Sequence, residues 1–449
     1  MKEAPTLHAV RVTEYLRTLV TAALLVVGAG CTKRPTDVVL ITVDTLRADH
    51  LSTYGYAKPT SPRIDEFARG ATVFEQAISQ APLTIPSILQ IMTSRYMPGG
   101  AIRAEDVTLA EVLRRAAYQT AAVVENSNFE IDRAAHGLPR GFDRFYRNGV
   151  LNRTDLEQQH YKTGTPGDAI TAQAVRWVRA RERDRPAFLW LHYFDPHDPY
   201  MPPFSDDMEE LSWGPHSRFT GDIRRTFLYR EDGEAFPDFN EDDRQHLVDL
   251  YDAEIRYADQ AIGDLFEALK SEDMFESALV ILTADHGESF GDHGYWTHGH
   301  SLYDSEIHIP MIVKFPYQRH GERVALPVQA IDVYPTVLDV LHISSDGLKL
   351  HGTSLQRRMP RLAFAFFGKQ QVVRSAAHNL VLDAGRPELF RLSDDPRQLH
   401  DIAGTNAHVV EDLTAAQYTA LAALRLNAEQ MRGISDQTVE RLHALGYLQ

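Results

Sequence analysis

The sequence contains one cysteine, Cys31, in 449 residues. It can form no intramolecular disulfide, so the fold must be held by burial and hydrogen bonding even if the chain is exported to an oxidising compartment. Basic residues are in deficit: 46 Lys and Arg stand against 62 Asp and Glu, a formal net charge of −16. Nucleic-acid binding needs a basic footprint, and this balance excludes it. Part of the acidic excess sits in Ser205 to Asp243, which reads as a loop-rich, solvated insertion. Internal repeats and low-complexity tracts are absent. The apolar run Leu19 to Gly30 is too short to span a bilayer.

What is present is an ordinary globular composition, 43% hydrophobic and 24% charged, long enough for one large core and a smaller second one. The N-terminus reads differently. Arg11 and Arg17 precede the Leu19 to Gly30 run, which stops at Gly28-Ala29-Gly30-Cys31. This resembles a bacterial lipoprotein signal, with Gly28 where such motifs usually carry Leu. The resemblance implies residues 1–30 as signal peptide, 31–36 as tether and an exported body in the cell envelope. A lipidated Cys31 would hold it at a membrane, firmly if several acyl chains are attached.

The rest of the chain answers to Ala278 to His300. Leu279 to Leu282 is an uninterrupted apolar run, the mark of a strand covered on both faces of a parallel sheet. It ends in Asp285-His286 and a Gly-rich loop with His293, His298 and His300. A carboxylate and an imidazole at the carboxyl edge of a sheet make a metal-site candidate. His293 and His300, taken singly, read better as polar loop residues. Asp37 to Val43 repeats the buried-strand pattern and ends in Asp44, so neighbouring parallel strands would bring Asp44, Asp285 and His286 to one point.

Ser61-Pro62 predicts a short helix, N-capped by Ser61 and closed by Gly70. In Gln80 to Arg95, Pro86 suits the first turn of a helix. Thr84 then lies just upstream of its N-terminus, where an anion is favoured; the plainer reading is a Thr N-cap. Thr108-Leu109-Ala110-Glu111 is a capping box. Ala187 to Tyr193 is strand-like and empties into a loop presenting His197, a general acid or ligand by type, while His192 within the strand reads as a core histidine. Glu241 to Lys270 predicts one long helix whose acids form a solvated face. The alternation of buried strands and helices predicts an α/β layered sandwich over 37–358. From 359 to 449, short alternating strands (Leu362 to Phe367, Gln371 to Ser375, Asn379 to Asp383, Glu388 to Leu392) and a helix from Val410 to Met431 predict a small antiparallel α+β subdomain.

Val43 to Tyr56, Pro82 to Arg95, Arg140 to Tyr146, YFDPHDPY, YDAEIRYADQAIGDL, TADHGESFGDHG and the closing ALGYL together resemble the sulfatases of the alkaline phosphatase superfamily. The resemblance implies an alkaline phosphatase-like sandwich with a mostly parallel central sheet flanked by helices. It implies one divalent metal ion, Ca, Zn or Mn, held by Asp44, Asp285 and His286 and touched by Thr84. It places Thr84 where sulfatases carry the cysteine that becomes formylglycine, His197 near the leaving oxygen, and His298 where many carry a lysine on the transferred group. A second cation using Asp195, His197 and His298 is the less favoured arrangement.

Four departures matter. Thr45 stands for the second aspartate of the usual pair, Ile88 for the motif arginine and Ser94 for a glycine. Thr84 has neither a thiol nor a CH₂ to oxidise to an aldehyde, so formylglycine chemistry is excluded. A Thr-dependent, metal-assisted hydrolase of sulfate or phosphate esters, with a glycan as a candidate substrate, follows. The alternatives are a phosphotransferase acting on envelope glycans and a non-catalytic glycan-binding protein. Oligomeric state is not legible.

Overall fold

Three runs with no charged residue, VVLITV, AFLWLHY and LVILTA, are buried along their whole length and form the middle of the main sheet. The computed structural model describes residues 35–96, 102–124, 137–147, 166–198, 200, 202 and 239–423. The expected signal peptide and Cys31, the expected acidic insertion up to residue 238 and the predicted helix beyond 423 lie outside the described residues.

In chain order the elements are β1 (Val38–Val43), α1 (Pro62–Arg69), β2 (Thr72–Ile78), α2 (Thr84–Thr93), α3 (Leu109–Arg115), β3 (Gln119–Val124), β4 (Arg144–Arg147), α4 (Pro166–Ala180) and β5 (Ala187–Tyr193). Then come α5 (Glu241–Ser271), β6 (Leu279–Ala284), β7 (Ser289–Phe290), β8 (Trp296–Thr297), α6 (Asp304–Ile307), β9 (His308–Ile309), β10 (Met311–Lys314), β11 (Glu322–Gln329) and α7 (Val333–Val340). The last are β12 (Ala363–Phe367), β13 (Gln370–Arg374), β14 (His378–Asp383), β15 (Arg386–Arg391) and α8 (Ala407–Ala423).

The large sheet has the order β11-β2-β10-β6-β1-β5-β3-β4, with β9 on β2. Along this path only β10 runs against its neighbours. Parallel strands need covered faces. Helices α1, α4 and α5 pack together as one group and α2, α3 and α7 as another. Val43 is in register with both Ala284 and Tyr193, so β1, β6 and β5 end level.

Two expectations change. Ser61 makes no side-chain cap on α1. The first N–H groups of α1, on Arg63 and Ile64, go instead to Asp259 of α5 at 3.0 and 2.8 Å. The acids of α5 are not one solvated face: Asp243, Asp249, Asp252, Glu254 and Asp259 are buried. A buried carboxylate must find partners, and these come from distant segments. Asp252 takes His50 at 2.8 Å, Tyr56 at 2.7 Å and Lys58 at 3.1 Å, and Lys58 also reaches Asp249 at 2.6 Å. Burial pushes the Asp259 carboxyl up to about 7. The capping box at Thr108 forms as predicted.

The antiparallel sheet β12-β13-β14-β15 follows the period-2 pattern of its sequence. Phe364, Phe366, Val373, Leu380 and Leu389 cluster with Leu413 of α8 and with Tyr96 and Ile331. On the other face Ala363, Ala365, Val372, Val381 and Phe390 cluster with Ile78, Leu302 and Ile307. Among the described residues no helix is long and apolar enough to cross a membrane.

Candidate active site

Because β1 and β6 end level, the next residues, Asp44 and Asp285, leave the sheet side by side, both fully buried. Asp285 Oδ1 accepts the N–H groups of Thr45 at 3.2 Å and His286 at 2.8 Å. Its Oδ2 has no hydrogen bond among the described residues. His286 Nδ1 lies 2.9 Å from the Gly287 carbonyl oxygen, which can only accept, so in the neutral ring the proton sits there and Nε2 carries the lone pair. That nitrogen faces Asp285 Oδ2 at 3.5 Å, Asp44 Oδ1 at 3.6 Å and Thr84 Oγ1 at 3.3 Å.

Two adjacent buried carboxylates cannot both stay charged without a compensating cation. Burial, followed by the charge of Asp44, pushes the Asp285 carboxyl well above its ordinary range. Burial works the same way on Asp44, but in the metal-free protein the charge that His197, His192 and His286 carry when protonated outweighs it and holds that carboxyl low. An unbonded carboxylate oxygen and an imidazole lone pair turned toward the same point fit a divalent cation held by Asp44, Asp285 and His286, with Thr84 beside it.

Thr84 opens α2 rather than standing upstream of it; Leu83 is the N-cap, in extended conformation. Its hydroxyl therefore caps nothing. Helix α2 is tied to the end of β6 by Ser87 Oγ, which donates to the Asp285 carbonyl at 2.6 Å. Ile88 is fully buried in the main core. Thr45 has a φ of 55°, a strained conformation for a β-branched residue, costing about 1–3 kcal/mol. Tyr251 OH donates to its carbonyl at 2.7 Å. Ser94 takes the left-handed conformation at the end of α2, φ 53°, and its Oγ bridges Ile331 O at 2.8 Å and Gly352 N at 3.1 Å.

The other side of the site comes from loops. His197 Nδ1 lies 2.6 Å from the Asp198 carbonyl oxygen. His298 Nδ1 donates to Glu288 Oε1 at 2.9 Å, and Glu288 Oε2 accepts from Tyr200 OH at 2.9 Å. The ring of His298 is 5.0 Å from that of His197 and 4.5 Å from that of His286, centroid to centroid, which joins the two sides. Glu306 anchors the loop by accepting from the N–H of Gly299 and His300 and the hydroxyl of Ser301. Gly287 is required where α6 crosses, since a Cβ there would lie 2.2 Å from Ser305 O.

The structure thus brings together Asp44, Thr84, Asp285, His286, His197 and His298. It leaves His293 stacked on Tyr303 and His300 beside Thr297, outside the cluster. Asp195 accepts from the Gly167 N–H at 3.0 Å, and Asp198 joins His197 and His298 instead. The reading of His192 as a core residue misses part of its role. It is fully buried, and its Nδ1 reaches Thr42 Oγ1 at 2.9 Å, but its Nε2 faces Asp44 Oδ2 at 3.3 Å. An imidazole in a strand of otherwise mostly apolar side chains was the available signal. Among the described residues, two groups of three metal-capable side chains have ligand atoms within 4.8 Å of one another, Asp44–His192–Asp285 and His197–Asp198–His298.

The family model described as Sulfatase matches residues 36–343. The chain belongs to the sulfatase family. It is thereby placed among the hydrolases of sulfuric and phosphoric esters. An uncharacterized sulfatase, YidJ of Escherichia coli strain K12, is 23% identical over 82% of this chain and 83% of its own. The phosphonate monoester hydrolase of Agrobacterium radiobacter superposes with a TM-score of 0.68 at 20% identity, covering 88% of this chain and 96% of its own. A structure holding its substrate D-glucosamine-2-N,6-O-disulfate has a TM-score of 0.68 at 17% identity and covers 89% of this chain and 99% of its own. These likenesses carry the alkaline phosphatase-like fold of this sulfatase, and its small C-terminal antiparallel sheet is part of it.

Proposed function

We propose that this sulfatase-family chain is a metal-dependent hydrolase of sulfate or phosphate esters on a glycan, with Thr84 as nucleophile. The observation that carries the reading is the Thr84 hydroxyl 3.3 Å from His286 Nε2, beside the paired carboxylates. A divalent cation held by Asp44, Asp285 and His286 supplies, when bound, a lower pKa for a neighbouring hydroxyl and counter-charge for the ester oxygens. Thr84 Oγ1, its proton given up to solvent, attacks sulfur or phosphorus in line, forming one bond while the bond to the leaving oxygen breaks. His298, oriented through Nδ1 by Glu288, stabilises the equatorial oxygens from its Nε2 side. His197 gives its proton to the leaving oxygen, and water then releases the adduct from Thr84. The sulfated glucosamine bound by one fold relative and the phosphonate substrate class of another bracket the ester. The same reading keeps the protein in the cell envelope, anchored through Cys31.

The burial of Ile88 where the motif arginine would stand favours a second reading, a non-catalytic glycan-binding protein. Turnover separates them. The full chain is to be assayed on p-nitrophenyl sulfate, phosphate, a phosphodiester and a phosphonate monoester with each divalent metal, beside Thr84→Ala. Loss of a nucleophile of this kind costs up to about 10⁶-fold in kcat, so the variant should be silent. A folded, metal-loaded wild type that turns over none of them, nor a sulfated glycan, overturns the reading in favour of binding.

A further inference from the structure

The cation side of the site contains one donor too many for the ligand set that the family resemblance implies. Thr42 Oγ1 has a single proton, and it goes to the Leu191 carbonyl at 3.1 Å. Its lone pairs accept from Trp190 Nε1 at 3.0 Å and face His192 Nδ1 at 2.9 Å. With that proton on the carbonyl, which can only accept, Nδ1 of His192 is the donor to Thr42. In the neutral ring the lone pair is then on Nε2, aimed at Asp44 Oδ2 at 3.3 Å, both side chains fully buried. A lone pair this close to a carboxylate is repulsive unless a positive centre, a further ring proton or a cation, lies beside them.

His192, Asp44 and Asp285 offer ligand atoms within 4.8 Å of one another. Ligands at about 2.0–2.2 Å from one ion lie within about 4.4 Å of each other, so the 3.3 Å approach of Nε2 to Asp44 suits neighbours in one coordination sphere. On the β1 side Thr45 supplies no carboxylate; it is held in a left-handed turn, and its N–H donates to Asp285 Oδ1.

We infer that His192 is a direct ligand of the catalytic cation, a second imidazole donor where Thr45 leaves the set one ligand short. The inference rests on the proposed metal dependence and deepens it. The donor set becomes two imidazoles, two carboxylates and a threonine hydroxyl. That mixture suits zinc or manganese and disfavours calcium, which takes oxygen ligands. Trp190 and Thr42 become the devices that fix the ring: the strand pairing sets Thr42 opposite His192, and the indole fills the remaining lone pair of the hydroxyl.

The test is spectroscopic and needs no substrate. The full chain, labelled with ¹⁵N-histidine and stripped with a chelator, is loaded with Mn²⁺ alone and examined by pulsed EPR. Two directly bound imidazole nitrogens are expected in the wild type and one in His192→Ala. The dissociation constant should rise in that variant by at least the roughly 10–100-fold that loss of a partner behind a ligand costs. Thr42→Val should keep both nitrogens and weaken binding by about tenfold, since it frees the ring without removing it. One nitrogen in the wild type overturns the inference and makes His192 an imidazolium paired with Asp44, whether or not His192→Ala folds. Two nitrogens without turnover of any ester leave the inference standing and count against the hydrolase alone. No binding of Mn²⁺, Zn²⁺ or Ca²⁺ overturns both.

Discussion

Asp44 and Asp285 leave strands paired along six residues with every side chain buried, whereas His197 and His298 stand on loops joined through Asp198, Glu288 and Tyr200. The strand-end side is set by the sheet itself, because moving either aspartate means breaking the register of the central strands. The loop side is set by hydrogen bonds between loop groups, each about 1 kcal/mol net. On the proposed function, the rigid part of the fold would hold the cation, and the adjustable part would hold the groups that meet the ester.

The largest break in that comparison is expected at Asp285. Its carboxyl is raised by burial and by Asp44, so the metal-free protein holds a proton there more readily than at an ordinary carboxylate, and the cation must displace it. Affinity for Zn²⁺ or Mn²⁺ should fall as pH drops, by up to about tenfold per unit for the one proton displaced. Asp285→Asn removes both the ligand and that proton. Affinity should drop at least about 100-fold and lose its steepness with pH, as calorimetry at about pH 6 and about pH 8 would reveal. An unchanged slope would mean that the competing proton sits elsewhere.

What was legible in the sequence follows the same division. Val38 to Asp44 and Leu279 to His286 could be read because strands covered on both faces are apolar throughout, and the first polar residues mark their ends. The small sheet was legible for the complementary reason, since Ala363, Phe364, Ala365 and Phe366 alternate between two clusters. Partnership across the chain was not legible. Asp252 and Asp259 look like any exposed helix acids until His50, Lys58 and the N-terminus of α1 fold onto them. Likewise His192 is a core residue by neighbours in sequence and a site residue only through Thr42 and Asp44. Thr84 was placed a residue short because Leu83, with no side-chain polar group, ends up as the N-cap.

Acid also acts on the fold, and His351 separates that effect from the one at Asp285. Its Nδ1 accepts the Tyr96 N–H at 3.0 Å, and its ring stacks on Tyr96, which packs against Phe364 and Phe366 of the small sheet. Burial, then Arg95 and Arg103, hold this imidazole down to about 4 from an ordinary 6.5. The folded state thus binds the proton more weakly than the unfolded one. Stability is intact above about 6.5 and is lost as pH falls toward about 4, by about 3 kcal/mol at most. His351→Gln should flatten the pH dependence of melting of the metal-free protein over that range. Its metal affinity should keep the wild-type dependence on pH; if both curves move together, the seam and the strand ends are one cooperative unit.

The smallest effect is expected on the loop side. Tyr200→Phe removes one hydrogen bond from the buried Glu288 and leaves the bond from Glu288 to His298 in place. With about 1 kcal/mol at stake, kcat should fall roughly fivefold. Glu288→Gln keeps an acceptor for His298 Nδ1–H but not the charge behind it, and should cost about tenfold or somewhat more. In both variants the dissociation constant for the cation should stay at the wild-type value, because no atom of Asp44, Asp285 or His286 has moved. A parallel loss of metal affinity and kcat would show that the loops help to place the strand-end residues. His298, whose ring lies 4.5 Å from that of His286, would be the point of contact through which they do it.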